Sequence, residues 1–285
     1  MLRTSALRVL TIEDAPAAAR VLARDPAAHV FVASRLEAGS DPGGMLMNTG
    51  FGGELWGWHD GDELVSLCYS GANLVPVEST PEAVVAFAER ARRVGRRCSS
   101  IVGPAHETLA LWKLLEPSWG PARSVRPRQP LMVTGEPPLV APDPAVRRVT
   151  EAELDILMPA CVAMFTEEVG VSPTATDGGR LYRGRVGELI RSGRAFARIE
   201  DGEVIFKAEV GAVSAAACQI QGVWVAPHRR GQGLAAPGIA AVVEAARREI
   251  APLVTLYVND YNVAARATYR AIGMREVGAL ASILF

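Results

Sequence analysis

Apolar positions along the chain alternate between helical and strand periods, in an order that occurs twice. In the second half, Leu154, Leu157, Met158, Cys161, Val162 and Phe165 keep the three-to-four spacing of a helix face. Val146–Val149 reads as a short strand ahead of this helix, Thr150 followed by Glu153 supplies a capping-box start, and Gly170 a stop. Val171–Arg180, rich in Ser, Pro, Thr, Asp and Gly, reads as a mobile loop, and a second helix follows over Leu181–Ser192. Ala195–Ile199 and Val204–Ala212 read as strands joined by Asp201-Gly202, a hairpin signal. Cys218–Val225 is a third strand. A glycine-containing turn leads to a helix at Pro237–Glu249, a strand at Leu253–Val258 and a helix at Asn262–Ile272 stopped by Gly273. Two last strands are expected near Arg275–Val277 and Ser282–Phe285.

The first half gives similar signals: a strand at Leu7–Thr11, helices at Asp14–Arg24 and Val30–Ala38, and a hairpin of Glu54–Trp58 and Glu63–Ser70. A strand at Asn73–Val77, a helix from Thr80 to Arg97, a strand at Ser100–Val102, a helix at Glu107–Leu115 and a strand near Pro130–Val133 follow. Both halves therefore read β-α-α-β-β-β-α-β-α-β, which predicts a diverged tandem repeat. Four prolines between Gly135 and Pro144 can continue neither a helix nor a central strand. They place a semi-rigid linker at 136–144 between domains at 1–135 and 145–285. A length of 285 residues agrees with two domains.

Composition adds exclusions. The chain is 49% hydrophobic and 21% charged, as folded globular proteins are. Its net charge of −1 suggests neither a nucleic-acid nor a membrane partner. No apolar run is long enough to span a bilayer, and Met1–Val9 lacks the apolar core of a secretory signal. Cys68, Cys98, Cys161 and Cys218 stand far apart, so free thiols in a reducing cytoplasm fit better than disulfides or a metal site. Only Lys113 and Lys207 among the 30 basic residues are lysine, a bias of GC-rich genomes such as those of actinobacteria.

The chemistry concentrates in Val223-Trp224-Val225-Ala226-Pro227-His228-Arg229-Arg230-Gly231-Gln232-Gly233-Leu234-Ala235-Ala236-Pro237. An apolar strand runs through an Arg/Gly turn into a helix. Glycine lets the backbone approach a ligand, and successive amides at a helix N-terminus suit a pyrophosphate. The turn is neither a Walker loop nor a dinucleotide fingerprint. The first half has no equivalent: Glu78-Ser79-Thr80-Pro81-Glu82 follows its third central strand.

A second motif follows, Asn262-Val263-Ala264-Ala265-Arg266-Ala267-Thr268-Tyr269-Arg270-Ala271-Ile272-Gly273-Met274. Together, Arg230-x-x-Gly233-x-Ala235 and Asn262-x-x-Ala265-x-x-x-Tyr269-x-x-x-Gly273 resemble the GCN5-related N-acetyltransferase (GNAT) family over residues 145–285. The layout looks like tandem acetyltransferases of actinobacteria with a degenerate first domain. The resemblance implies two mixed α/β domains, each with a mixed sheet flanked by helices, and a splayed fourth strand. It implies acetyl-CoA as cosubstrate, with its pantetheine arm along Val223, Trp224 and Val225. The pyrophosphate would lie on Arg230, Gly231, Gln232, Gly233, Leu234, Ala235 and Ala236, and Asn259 and Asn262 would lie beside the cofactor.

In that family the reaction is acetyl transfer to a primary amine by direct aminolysis, without a metal. Tyr269, protonated near neutrality, would be the acid that serves the thiolate. The Val225 N–H would serve the oxyanion. The fourth strand carries Gln219 and Gln221 where relatives have a glutamate, so the proton acceptor falls to Glu209 or, with Glu167 beside it, to Glu168. A buried carboxylate such as Glu209 needs a partner or solvent. Two other readings remain, an acyl-CoA sensor without catalysis and an aminoacyl or peptidyl transferase on the doubled scaffold. A monomer or homodimer is expected.

Overall fold

The computed structural model describes residues 6–40, 53–175 and 177–285. Met1–Ser5 of the expected N-terminal stretch and Thr176 of the expected loop lie outside these residues. The chain divides into two units. The first holds the residues up to Leu131 together with Tyr257–Tyr261 and Glu276–Phe285, and the second holds Met132–Leu256 and Asn262–Arg275.

In chain order the first set of elements is β1 (Leu7–Val9), α1 (Ala15–Leu22), α2 (Pro26–Ser40), β2 (Glu54–Asp60), β3 (Glu63–Ser70), β4 (Asn73–Val77), α3 (Pro81–Val94), β5 (Ser100–Pro104), α4 (Ala105–Trp119) and β6 (Ser124–Thr134). The second is β7 (Arg147–Arg148), α5 (Leu154–Val169), α6 (Arg180–Arg191), β8 (Ala195–Glu200), β9 (Glu203–Val213), β10 (Ala217–Val225), α7 (Ala235–Glu249), β11 (Leu253–Tyr257), α8 (Val263–Ala271) and β12 (Arg275–Leu284). The two series have the same order, so the internal repeat is real.

The repeat extends to side chains. Arg8 bonds Asp14, whose carboxylate also accepts from the Thr11 N–H. Arg147 bonds Glu153, whose carboxylate also accepts from the Thr150 N–H. Each trio ties the first strand of its repeat to the start of the first helix, with the threonine as N-cap.

In the first unit the strands run in the order β1-β2-β3-β4-β5-β12-β6; from β1 to β12 the neighbours are antiparallel except for the parallel β4–β5 pair. The last strand of the chain thus completes this unit: Leu280 pairs with Pro104 and Ile283 with Ile101. Ile283 is buried among Trp56, Phe87, Leu111 and Trp112. In the second unit the order is β11-β10-β9-β8-β7, with β10 and β11 parallel. Its core joins Leu157 and Cys161 of α5, Leu189 of α6 and Ala197 and Val204 of the sheet.

Three expectations need correction. The two final strands are one strand, because the chain stays extended through Gly278. β6 begins at Ser124, six residues before the expected start, although Pro127 and Pro130 remove two of its N–H groups. α2 starts at Pro26, a residue suited to the first helical turn. The proline-rich segment is fastened to the second unit: the Asp143 N–H donates to Pro237 O, its carboxylate binds Arg198 at 2.8 Å, and the Leu139 N–H reaches Ile272 O.

Candidate functional site

β10 lies between two neighbours and leaves one of them. It pairs with β11 over Ala217–Gln219, the last rung being Gln219 opposite Thr255, whereas both strands continue further. With β9 it stays paired to its end, through two irregularities. At the first, β9 has the extra residue Gly211; a Cβ there would lie 2.1 Å from Gln221 Oε1, so the Gln221 side chain lies across that glycine. At the second, Gly222 and Val223 of β10 together face Ala208 alone. Gly222 has φ +60°, the left-handed conformation that glycine adopts readily in a bulge.

Beyond the bulge the ladder resumes with Trp224 opposite Lys207 and Val225 opposite Phe206, and the Ala226 N–H donates to Ile205 O. Main-chain groups alternate sides along an antiparallel strand. Those of Trp224 therefore face β9, and those of Val223 and Val225 face the edge from which β11 has parted. The Val225 carbonyl on that edge accepts from Arg230 Nε at 3.0 Å.

A single 3-10 turn, Pro227–Arg229, leads into the loop before α7. Gly231 and Gly233 have φ of +76° and +77°, with open space where a Cβ would stand. Their glycines serve backbone conformation rather than packing. Among the described residues, the N–H groups of Gly231, Gln232, Gly233, Leu234, Ala235 and Ala236 have no protein acceptor. They gather at the N-terminus of α7, where the helix dipole favours an anion. Arg229 is tied to Glu200 and Gln232. Arg230 binds Glu167 of α5 at 2.8 and 3.1 Å, and Trp224 Nε1 also points at Glu167.

Tyr269 of α8 is only 7% exposed. Burial, with the negative charge of Glu168 added, pushes its hydroxyl well above the usual tyrosine value. The Asn262 side chain caps α8 by accepting from the Ala265 N–H at 3.1 Å. Asn259 falls in the first unit, where its Oδ1 accepts from Gln129 Nε2 at 2.9 Å.

Glu209 has both carboxylate oxygens engaged. Oε2 meets Lys207 Nζ at 3.2 Å and Oε1 accepts from Gln221 Nε2 at 2.9 Å. Lys207 is 1% exposed. Burial opposes its charge, but Glu209 and the neighbouring Cys161 outweigh that and raise its pKa above the ordinary lysine value. Sequence reasoning noted Lys207 only as a rare residue type. A lone lysine inside the apolar strand Val204–Val213 was the available signal.

The equivalent place in the first unit is closed. β4 and β5 pair at Asn73–Ser100 and Leu74–Ile101. Further along, a Cβ on Gly103 would meet Pro76 O at 3.1 Å and Thr108 Oγ1 at 3.2 Å, so no slot opens between the strands. The carboxyl of Glu107 is half-buried in the first turn of α4, close to where β4 leads into α3. Burial raises its pKa.

No helix among the described residues is long and apolar enough to cross a membrane. Residues 53–157 match a domain of unknown function, DUF4081, and residues 175–274 match the acetyltransferase (GNAT) family. No curated protein matches the chain. Solved structures do. A Drosophila protein aligns over 99% of both chains at 13% identity, with a TM-score of 0.69. A tandem GNAT protein from the clavulanic acid biosynthesis pathway aligns over 98% of both, at 14% identity and a TM-score of 0.53. A GCN5-related N-acetyltransferase from Sphaerobacter thermophilus covers 98% of this chain and 95% of its own, at 18% identity and a TM-score of 0.52. At such identities the likeness is one of fold, and it spans both units. The chain therefore has the doubled fold of these structures, and its residues 175–274 match the acetyltransferase (GNAT) family.

Proposed function

We propose that the protein transfers the acetyl group of acetyl-CoA to a primary amine, in the second unit. The observation that carries this reading is the run of open N–H groups from Gly231 to Ala236 beside the parted edge of β10. The amides suit the diphosphate. The outward groups of Val223 suit an amide of the pantetheine arm, which would add to β10 as a strand does. The Trp224 indole lies towards Glu167 of α5, and Asn262 precedes α8.

In the proposed reaction a neutral amine nitrogen bonds to the thioester carbonyl carbon. The Val225 N–H donates to the oxyanion. Glu168 takes the proton from the amine nitrogen. As the C–S bond breaks, the Tyr269 hydroxyl gives its proton to the departing sulfur. A hydroxyl whose pKa is raised stays protonated until it is used. Glu209, engaged by Lys207 and Gln221, is assigned to holding the strand rather than to proton transfer.

The test is to incubate the purified protein with acetyl-CoA and a panel of amines, peptide N-termini included, and to follow thiol release. Thiol release that depends on an amine supports acetyl transfer. Acetyl-CoA binding with no turnover on any amine would replace it with a sensor role. Failure to bind acetyl-CoA would overturn both.

A further inference from the structure

The Lys207–Glu209 pair stands two residues apart on β9, and the bulge of β10 lies opposite the gap. Gln221 faces Glu209 on one side of the bulge and Trp224 faces Lys207 on the other. Gly222, within the bulge, rests on the pair: a Cβ at this glycine would lie 3.0 Å from Lys207 Nζ, 3.2 Å from Glu209 Cδ and 3.1 Å from Met164 Cε. Gln221 completes the arrangement by lying across Gly211 and donating to Glu209. The pair is thus a clasp under the bulge of β10 that immediately precedes the cofactor edge. Its surroundings are apolar or polar without opposite charge: Cys161 and Met164 of α5, and Tyr182 of α6, whose hydroxyl is bound to Cys161 O.

The composition sharpens the point. The chain has 30 basic residues and only two lysines, so arginine is its default cation. Lys207 is fully buried, where a planar guanidinium would not replace a compact ammonium. A buried ion pair adds little stability over well-packed apolar side chains, so stability alone does not explain it.

We propose that Lys207 is a positioning residue, which through Glu209 and Gln221 fixes the Gly222–Val223 bulge and so aims the main chain of Val223–Val225 at the pantetheine arm. This inference rests on the acetyl-CoA reading. It makes a division within the cofactor. The diphosphate end binds the loop before α7 and does not depend on Lys207. The pantetheine arm binds β10 and does.

The experiment compares, by calorimetry, acetyl-CoA with its phosphoadenosine diphosphate fragment, which lacks pantetheine. Lys207→Met is expected to weaken acetyl-CoA about tenfold or more, as misplaced binding groups do, and to leave the fragment's affinity unchanged. Should that variant fail to fold, the double variant K207M/E209M removes both buried charges together and reads the same ratio. Equal affinities for wild type and variant, or a parallel loss for both ligands, would overturn the proposal while leaving the acetyl-CoA reading intact. A wild-type protein that binds neither ligand would instead defeat that reading itself.

Discussion

The guanidinium of Arg230 holds the Glu167 carboxylate at 2.8 Å while its Nε donates to the Val225 carbonyl. Both side chains of the ion pair are nearly half exposed, at 47% and 48%, so the pair contributes only about 0–1 kcal/mol. A diphosphate on the adjacent loop would compete with Glu167 for Arg230. Glu167→Ala should therefore tighten acetyl-CoA binding by roughly two- to fivefold, within that energy. Calorimetry showing unchanged or weaker binding would separate Arg230 from the diphosphate.

Tyr269→Phe should lower kcat by about 100-fold or less, the scale of one acid–base group, with acetyl-CoA affinity nearly intact. The raised pKa also fixes the pH behaviour. A hydroxyl that titrates above its ordinary 10.0 stays protonated across the neutral range, so it should impose no alkaline loss of kcat below about pH 10. A wild-type kcat in the Phe variant would remove Tyr269 from the chemistry.

Gly233→Val should abolish acetyl-CoA binding. Space for the side chain exists, but φ of +77° is strained for a β-branched residue, and the isopropyl group would enter the amide cradle. Retained binding in a titration would place the diphosphate elsewhere.

The closed strands of the first unit set a stoichiometry. With Gly103 against Pro76 and Thr108, the parting of central strands is found, among the described residues, in the second unit. One acetyl-CoA per chain is expected by calorimetry or native mass spectrometry, and two per chain would refute the asymmetry.

Asp14 and Glu153 both have pKa values lowered to about 2, each chiefly by the side-chain bond from its arginine. A carboxylate whose folded pKa lies below its unfolded value stabilises the fold above the unfolded pKa. That contribution is lost as the pH falls from about 4 towards 2. The double variant Asp14→Asn/Glu153→Gln should melt below wild type at neutral pH, and the two melting curves should converge near pH 2. A constant gap across that range would show that the carboxylate charge is not what matters.

Much of the fold was legible because local signals agreed with tertiary structure. Asp201-Gly202 made its hairpin, Thr150 and Glu153 their capping box, and Gly170 the left-handed end of α5. The glycine loop before α7 was legible because conformation and chemistry coincide there: positive φ requires the residues that also admit an anion. What pairing decides was hidden. Pro127 and Pro130 argue locally against a strand, yet β6 runs through both. The Gly222 bulge depends on Glu209 and Lys207 across the ladder, and a linear reading sees neither partner. The need of Glu209 for a partner was legible, but that the partner is Lys207, two residues earlier on the same strand face, was not.

β12 belongs to the first unit, and this orders events during synthesis. The ribosome releases β5 with its edge unpaired, and the strand that covers it is made only after every other element of the second repeat. Trp56, Phe87 and Trp112 meanwhile lack Ile283 from their cluster. An uncovered strand edge beside exposed aromatic side chains is a template for aggregation. The nascent first half is therefore the stage at which a chaperone would find most to hold.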